Sequence, residues 1–198
     1  MRRIFIGTLV VLTIALINGC ANRKITRVDP SETIDLSGRW NDSDSRLVSE
    51  EMIGDLLTSA WIPRYLKAND KRPVVVVGLV ENKSHEHINS ETFIKDVEKA
   101  IIRDGNIRLV VAGEKRNELR KERAEQQDYA SPETTKKWGK ELGADFILQG
   151  TINSIVDSYK KQKVVTYQID LQLTNIETNE VVWMGEKKIK KQISDRVL

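Results

Sequence analysis

The chain has 198 residues, enough for one domain and a targeting segment. Its composition, 39% hydrophobic and 31% charged, is the ordinary balance of a globular domain with a core. A net charge of +3 and a single cysteine exclude nucleic-acid binding driven by charge, an intramolecular disulfide and a zinc site built on cysteines.

The N-terminus reads as a secretion leader. Arg2-Arg3 precedes Ile4–Ile17, an apolar run broken only by Gly7, Thr8 and Thr13. A membrane-spanning helix needs roughly 20 apolar residues, and this shorter run has the length of a signal core. Leu16-Ile17-Asn18-Gly19-Cys20 resembles a lipobox, with Asn18 where Ala or Ser is commoner. The chemistry requires a thiol to carry the diacylglycerol thioether and a small residue before it, so that signal peptidase II can cut. Residues 1–19 are therefore expected to be a signal peptide and Cys20 the lipidation site. The alternative is an uncleaved anchor helix with an incidental cysteine. Without Arg2 and Arg3, 30 basic residues face 29 acidic ones, a net +1. Ala21, not Asp, follows Cys20, which points to the outer membrane, facing the periplasm.

Residues 20–43 read as the lipidated cysteine and a polar tether with Pro30 and Gly38. About 23 residues reach roughly 75–80 Å fully extended. A helix is predicted from Asp44 to Ala60, with Asn41, Asp42 and Ser43 as candidate caps. Val48, Met52, Leu56 and Ala60 form one apolar row, and Ile53, Leu57 and Trp61 the next. Pro63 predicts a break near Trp61-Ile62. Val74–Val80, nearly all aliphatic, reads as a strand buried on both faces near the middle of a sheet. Glu81–Asn89 is a loop. Ser90–Arg103 is a helix stopped by Gly105, and Ile107–Ala112 a short strand. Glu114–Gln127 predicts a charged surface helix. Ser131-Pro132-Glu133 opens a further helix ending at Leu142, with Gly143 as its stop.

Three strands then close the chain. Asp145–Ile155 alternates around Phe146, Leu148 and Ile152. In the next strand Val165, Tyr167, Ile169, Leu171 and Leu173 share one face, and Thr166, Gln168, Asp170, Gln172 and Thr174 the other. A turn at Glu177–Glu180 leads to Val181–Lys190. The expected fold is α/β of the α+β kind: a two-layer or sandwiched domain over residues 44–198. Its mixed, largely antiparallel sheet has about five strands, with about four helices. Trp61, Trp138 and Trp183 are expected in or beside the core.

No constellation of catalytic groups emerges. There is no Gly-x-Ser-x-Gly elbow, dinucleotide fingerprint or phosphate loop, and no free thiol beyond Cys20. His85 and His87 could point to one side of an extended segment and together hold a metal, but no third ligand is evident. Glu50-Glu51 reads as the charged face of a helix. The run Lys115–Arg123 interleaves bases with acids, as a solvated helix does. The expectations are no enzyme, no cofactor, no metal, no small-molecule substrate and no nucleic acid. Arg39 and Trp40 are interface candidates, because Arg and Trp are enriched at binding hot spots; equally, Trp40 can pack on its own domain.

Four segments carry a family resemblance: Asp35-Leu36-Ser37-Gly38-Arg39-Trp40-Asn41-Asp42-Ser43; Pro73–Val80 with Glu81-Asn82-Lys83; Gly143-Ala144-Asp145-Phe146-Ile147-Leu148-Gln149-Gly150; and Glu180-Val181-Val182-Trp183. In these the chain resembles the LpoB family of lipoprotein activators of penicillin-binding proteins. Related lipoprotein folds share the Ala-Asp-hydrophobic-hydrophobic-Leu-x-Gly strand. The resemblance implies a non-catalytic lipoprotein of the outer membrane that binds a class A penicillin-binding protein and stimulates peptidoglycan synthesis. The tether here is shorter, and poorer in proline, than in the best-known members. The alternative is an envelope lipoprotein on the same scaffold with another partner, such as a secretion-associated assembly.

Overall fold

A computed structural model describes residues 25–135 and 141–194. The chain divides into two units, Met1–Glu32 and Thr33–Leu198. In the described part of the first, Asp29 Oδ1 accepts hydrogen bonds from the Ser31 backbone N–H (2.8 Å) and hydroxyl (2.6 Å), closing a turn around Pro30. The second unit holds four helices and five strands among the described residues: α1 (Asp42–Thr58), α2 (Trp61–Asn69), β1 (Val74–Asn82), α3 (Ser90–Asp104), β2 (Arg108–Val110), α4 (Gly113–Tyr129), β3 (Phe146–Tyr159), β4 (Gln162–Asn175) and β5 (Val181–Ser194).

The strands form one sheet in the order β2-β1-β3-β4-β5. β1 runs parallel to β2 and β3, and β3-β4-β5 is an antiparallel meander. This is the mixed α+β architecture expected. The inward row of β4 drives it: Val165, Tyr167, Ile169, Leu171 and Leu173 are all 0–1% exposed. Against that row and its neighbours pack Val48, Met52, Ile53 and Leu56 of α1, and Phe93, Val97 and Ile101 of α3. Gly150 interrupts the inward row of β3. A Cβ there would run into the Asp170 carbonyl oxygen and the Leu171 side chain, so glycine permits the close approach of β4. Trp61 and Tyr65 each meet Phe146 edge-on at 5.3 Å, and Trp183 Nε1 donates to Asp55 at 2.8 Å. Asp145 joins the starts of β1 and β3: its N–H donates to the Val74 carbonyl and its carboxylate accepts from the Val74 N–H, both at 2.8 Å.

Several local expectations are corrected. α1 begins at Asp42, because Asn41 caps it in a reciprocal box with Asp44. The break falls at Ser59-Ala60 rather than Trp61-Ile62. Pro63 then occupies the first turn of α2, where its missing N–H has no partner to lose. β1 is buried over Val74–Val77 and again at Val80, but Leu79 between them is 65% exposed. β2 shrinks to three residues, since Ala112 caps α4. β3 and β5 run on to Tyr159 and Ser194, because β4 offers each a partner along its length. At Ser131 the chain turns, the Thr134 and Thr135 N–H groups both donating to the Ser131 carbonyl at 3.0 Å; the body of the helix expected there, residues 136–140, lies outside the described residues, and Glu141 and Leu142 at its expected end are not helical. Trp138 likewise lies outside the described residues.

Candidate functional site

Cys20 lies outside the described residues. Arg39 and Trp40 belong to a strap, residues 34–41, that the fold holds against β5. The second unit, which begins at Thr33, includes this strap. Gly38, at φ +66°, passes so close to Ile193 that any side chain would collide with it. Lys191, 8% exposed, fastens the strap: its Nζ reaches Asp44 at 2.6 Å, Asp35 at 3.0 Å and the Arg39 carbonyl at 2.9 Å. Three acceptors satisfy the three ammonium protons. Asn41 Nδ2 adds bonds to the Ile34 carbonyl (3.4 Å) and Asp35 (3.1 Å).

Trp40 packs edge-on against Tyr167 at 5.4 Å, and its backbone N–H donates to Glu86 at 3.1 Å. The Tyr167 hydroxyl and the Ser43 hydroxyl are buried and make no hydrogen bond among the described residues. Burial, and then the Glu86 carboxylate, raise the Tyr167 pKa above the ordinary tyrosine value, so the hydroxyl stays neutral. Trp40 is thus a half-buried prop of the domain, and Arg39 beside it is exposed.

Sequence reasoning missed Lys191, Tyr167 and Glu86 as parts of this corner. One signal was available. Lys191 falls on the inward row of β5, with Trp183, Ile189 and Ile193, where a lysine needs buried partners.

Both histidines are exposed: His85 Nδ1 meets the Ser154 hydroxyl at 2.6 Å and its Nε2 lies 3.5 Å from the Glu86 carboxylate. No group of three or more His, Cys, Asp or Glu stands at metal-binding spacing among the described residues. Glu50 pairs with Arg46 at 3.6 Å and Glu51 with Lys187. The basic run of α4 is spent on acids: Arg120 and Arg123 hold Glu141 at 2.9 and 3.0 Å, and Lys121 faces Glu125 at 3.7 Å. Arg120 holds the Glu141 carboxyl below its usual pKa. Between α3, β2 and α4 lies an open groove of about 1010 Å³, with Leu79, Ile102 and Val111 in its lining. No helix among the described residues is long and apolar enough to cross a membrane.

No curated protein matches the chain. Solved structures similar to it include the LpoB C-terminal domain from Escherichia coli, 19% identical with a TM-score of 0.38 over 69% of this chain and 100% of that one. The LpoB C-terminal domain from Salmonella enterica is 17% identical, with a TM-score of 0.36 over 66% and 98%. Lipoprotein GNA1162 from Neisseria meningitidis is 13% identical, with a TM-score of 0.38 over 61% and 83%. The family model of the peptidoglycan-synthase activator LpoB matches residues 44–189, which takes in every element from α1 to β5 except the first two residues of α1 and the last five of β5. Matched over most of its length, the chain belongs to the LpoB family, whose members activate peptidoglycan synthases without being enzymes themselves.

Proposed function

We propose that this protein is a lipoprotein, anchored through Cys20 in the periplasmic leaflet of the outer membrane, that binds and activates a class A penicillin-binding protein. Residues 1–19 are the signal peptide, Cys20 carries the acyl chains, and the domain is the binding module. The family match over residues 44–189 is the observation that carries this reading. Activation by a protein without a catalytic centre is a population shift: the domain binds the active state of the synthase more tightly than the inactive one. A fixed strap suits such a task. With Trp40 wedged on Tyr167 and Lys191 gripping the backbone, Arg39 is presented from a rigid support and loses little freedom when it meets a partner. Lipid chains contribute about 0.8 kcal/mol per buried CH₂, so more than one chain on Cys20 gives a stable anchor.

The test is a pull-down from host membranes with the processed chain bearing Cys20→Ser, followed by a glycan-polymerisation assay with the purified synthase. Capture of a bifunctional synthase and faster polymerisation are expected. Capture of another envelope protein, with no synthase, would transfer the scaffold to a different partner.

A further inference from the structure

The lysines of the meander all lie between its middle and the β3–β4 turn. Lys160 and Lys161 form the β3–β4 turn, Lys163 follows, and Lys188 and Lys190 stand on β5 opposite Gln168 and Thr166. Asp157 is the carboxylate among them. Asp170 and Glu186 lie one row further in, with Glu186 bonded to Lys188 at 2.9 Å. At the far end the β4–β5 turn carries Glu177 and Glu180. Strands of 14 residues separate the two ends by roughly 45 Å. Between the lysines two apolar side chains are left in water: Ile155, 70% exposed, in the row of Thr166 and Lys190, and Tyr159, 71% exposed, with Lys160 5.2 Å from its ring centre.

Lysines on an edge strand guard against edge-to-edge pairing. That role does not account for the lysines in the turn, or for Ile155 and Tyr159 among them. Protein interfaces are enriched in arginine and depleted in lysine, and no arginine occurs between residues 124 and 195. Lysine with exposed tyrosine and isoleucine is the chemistry of an anionic lipid surface: ammonium groups at the headgroups, an amphipathic ring and an aliphatic side chain at the interface. The tether supplies proximity. Twelve residues separate Cys20 from Thr33, and even fully extended that stretch reaches only about 45 Å. A lipidated chain would therefore hold such a surface at high effective concentration.

We propose that the basic tip of the β3–β4 hairpin, with Lys160, Lys161, Lys190, Tyr159 and Ile155, is a second membrane contact that docks the domain on an anionic lipid surface. The proximity step rests on Cys20 lipidation; the contact itself does not. The experiment is co-sedimentation of the processed chain bearing Cys20→Ser with phosphatidylglycerol–phosphatidylethanolamine vesicles and with phosphatidylcholine vesicles. Binding is expected to the anionic vesicles alone and to weaken as salt rises. Lys160→Glu/Lys161→Glu/Lys190→Glu should reduce it at least tenfold and Tyr159→Ser a few-fold, both with an unchanged melting temperature. Glu177→Lys/Glu180→Lys, at the far end, should leave it intact. Equal binding to neutral vesicles overturns the proposal, as does undiminished binding by the folded charge-reversed variant. Capture of an acidic protein without any binding to vesicles overturns it in favour of a protein partner. A separate mass measurement on the chain purified from its host tests the anchor: absence of acyl mass at Cys20 removes the proximity step and leaves the vesicle result standing.

Discussion

β4 and α4 are regular elements of similar length, 14 and 17 residues, and they are held by different forces. β4 buries five side chains completely and has a neighbour on each side, whereas α4 buries none. Burial stabilises at about 25 cal/mol per Å² of apolar surface and is little affected by salt. α4 leans on ion pairs at the surface, chiefly Arg120 and Arg123 with Glu141 and Lys115 with Glu91. Such pairs contribute about 0–1 kcal/mol and are screened by salt. One molecule thus combines a rigid meander with a loosely held flank, and the strap 34–41 is fastened to the rigid part.

The largest effect should come from the fastening. Lys191→Ala leaves Asp44 buried without its cation, and we expect a loss of about 4 kcal/mol in urea denaturation. Adding Asp44→Asn should recover part of it; a single mutant within about 1 kcal/mol of the parent would mean that the strap does not depend on this pair. Next comes a matched pair of cavities. Leu173→Ala in β4 should cost about 3 kcal/mol, and Leu119→Ala in α4, where the side chain is 47% exposed, less than about 0.5 kcal/mol. Equal losses would erase the distinction between the two regions.

Asn41→Ala removes the capping box of α1, and we expect a drop of about 1 kcal/mol in urea denaturation; Asn41→Asp keeps the cap acceptor but sets a carboxylate against Asp35 and the Ile34 carbonyl, so it should recover only part of that drop. The smallest effect at neutral pH belongs to Tyr167→Phe. It deletes a buried hydroxyl without a hydrogen bond among the described residues, so stability should be unchanged or higher by up to about 1 kcal/mol. Its signature lies in the pH profile. The folded-state pKa of Tyr167 is raised above the ordinary 10.0, so above that pH the unfolded chain releases a proton that the folded one keeps. Stability should therefore fall as pH rises past 10, and Tyr167→Phe should flatten part of that fall in thermal melts taken between pH 8 and 11. Identical profiles for the two proteins would show that the ring is not shielded as described.

Where the sequence was legible, a short-range period carried the message. The alternation from Val165 to Leu173 gave β4 its face, and the spacing of Val48, Met52, Ile53 and Leu56 gave α1 its buried row. The same reasoning failed where a neighbour decides. Val74–Val80 looks buried throughout, yet Leu79 emerges because the sheet past Val77 shifts register between β1 and β3. Of the interface pair Arg39-Trp40, the sequence offered the residue types; that Trp40 rests on Tyr167 could not be read from spacing.

By itself the sequence determined the order of most elements, the amphipathic faces, Gly105 as the stop of α3, Asn41 among the candidate caps of α1, and the lipobox-like segment ending in Cys20. All of these are local, set by contacts within a few residues along the chain. Only the tertiary structure decided that Lys191 is buried, that residues 34–41 lie within the second unit, that α4 is held by Glu141 and that the lysines of two strands and a turn lie between the middle of the meander and the β3–β4 turn. Lys191 and Asp35 are 156 positions apart, and Trp183 and Asp55 are 128. The energy of such pairs exists only once the sheet has brought them together, and no periodicity in the chain encodes it.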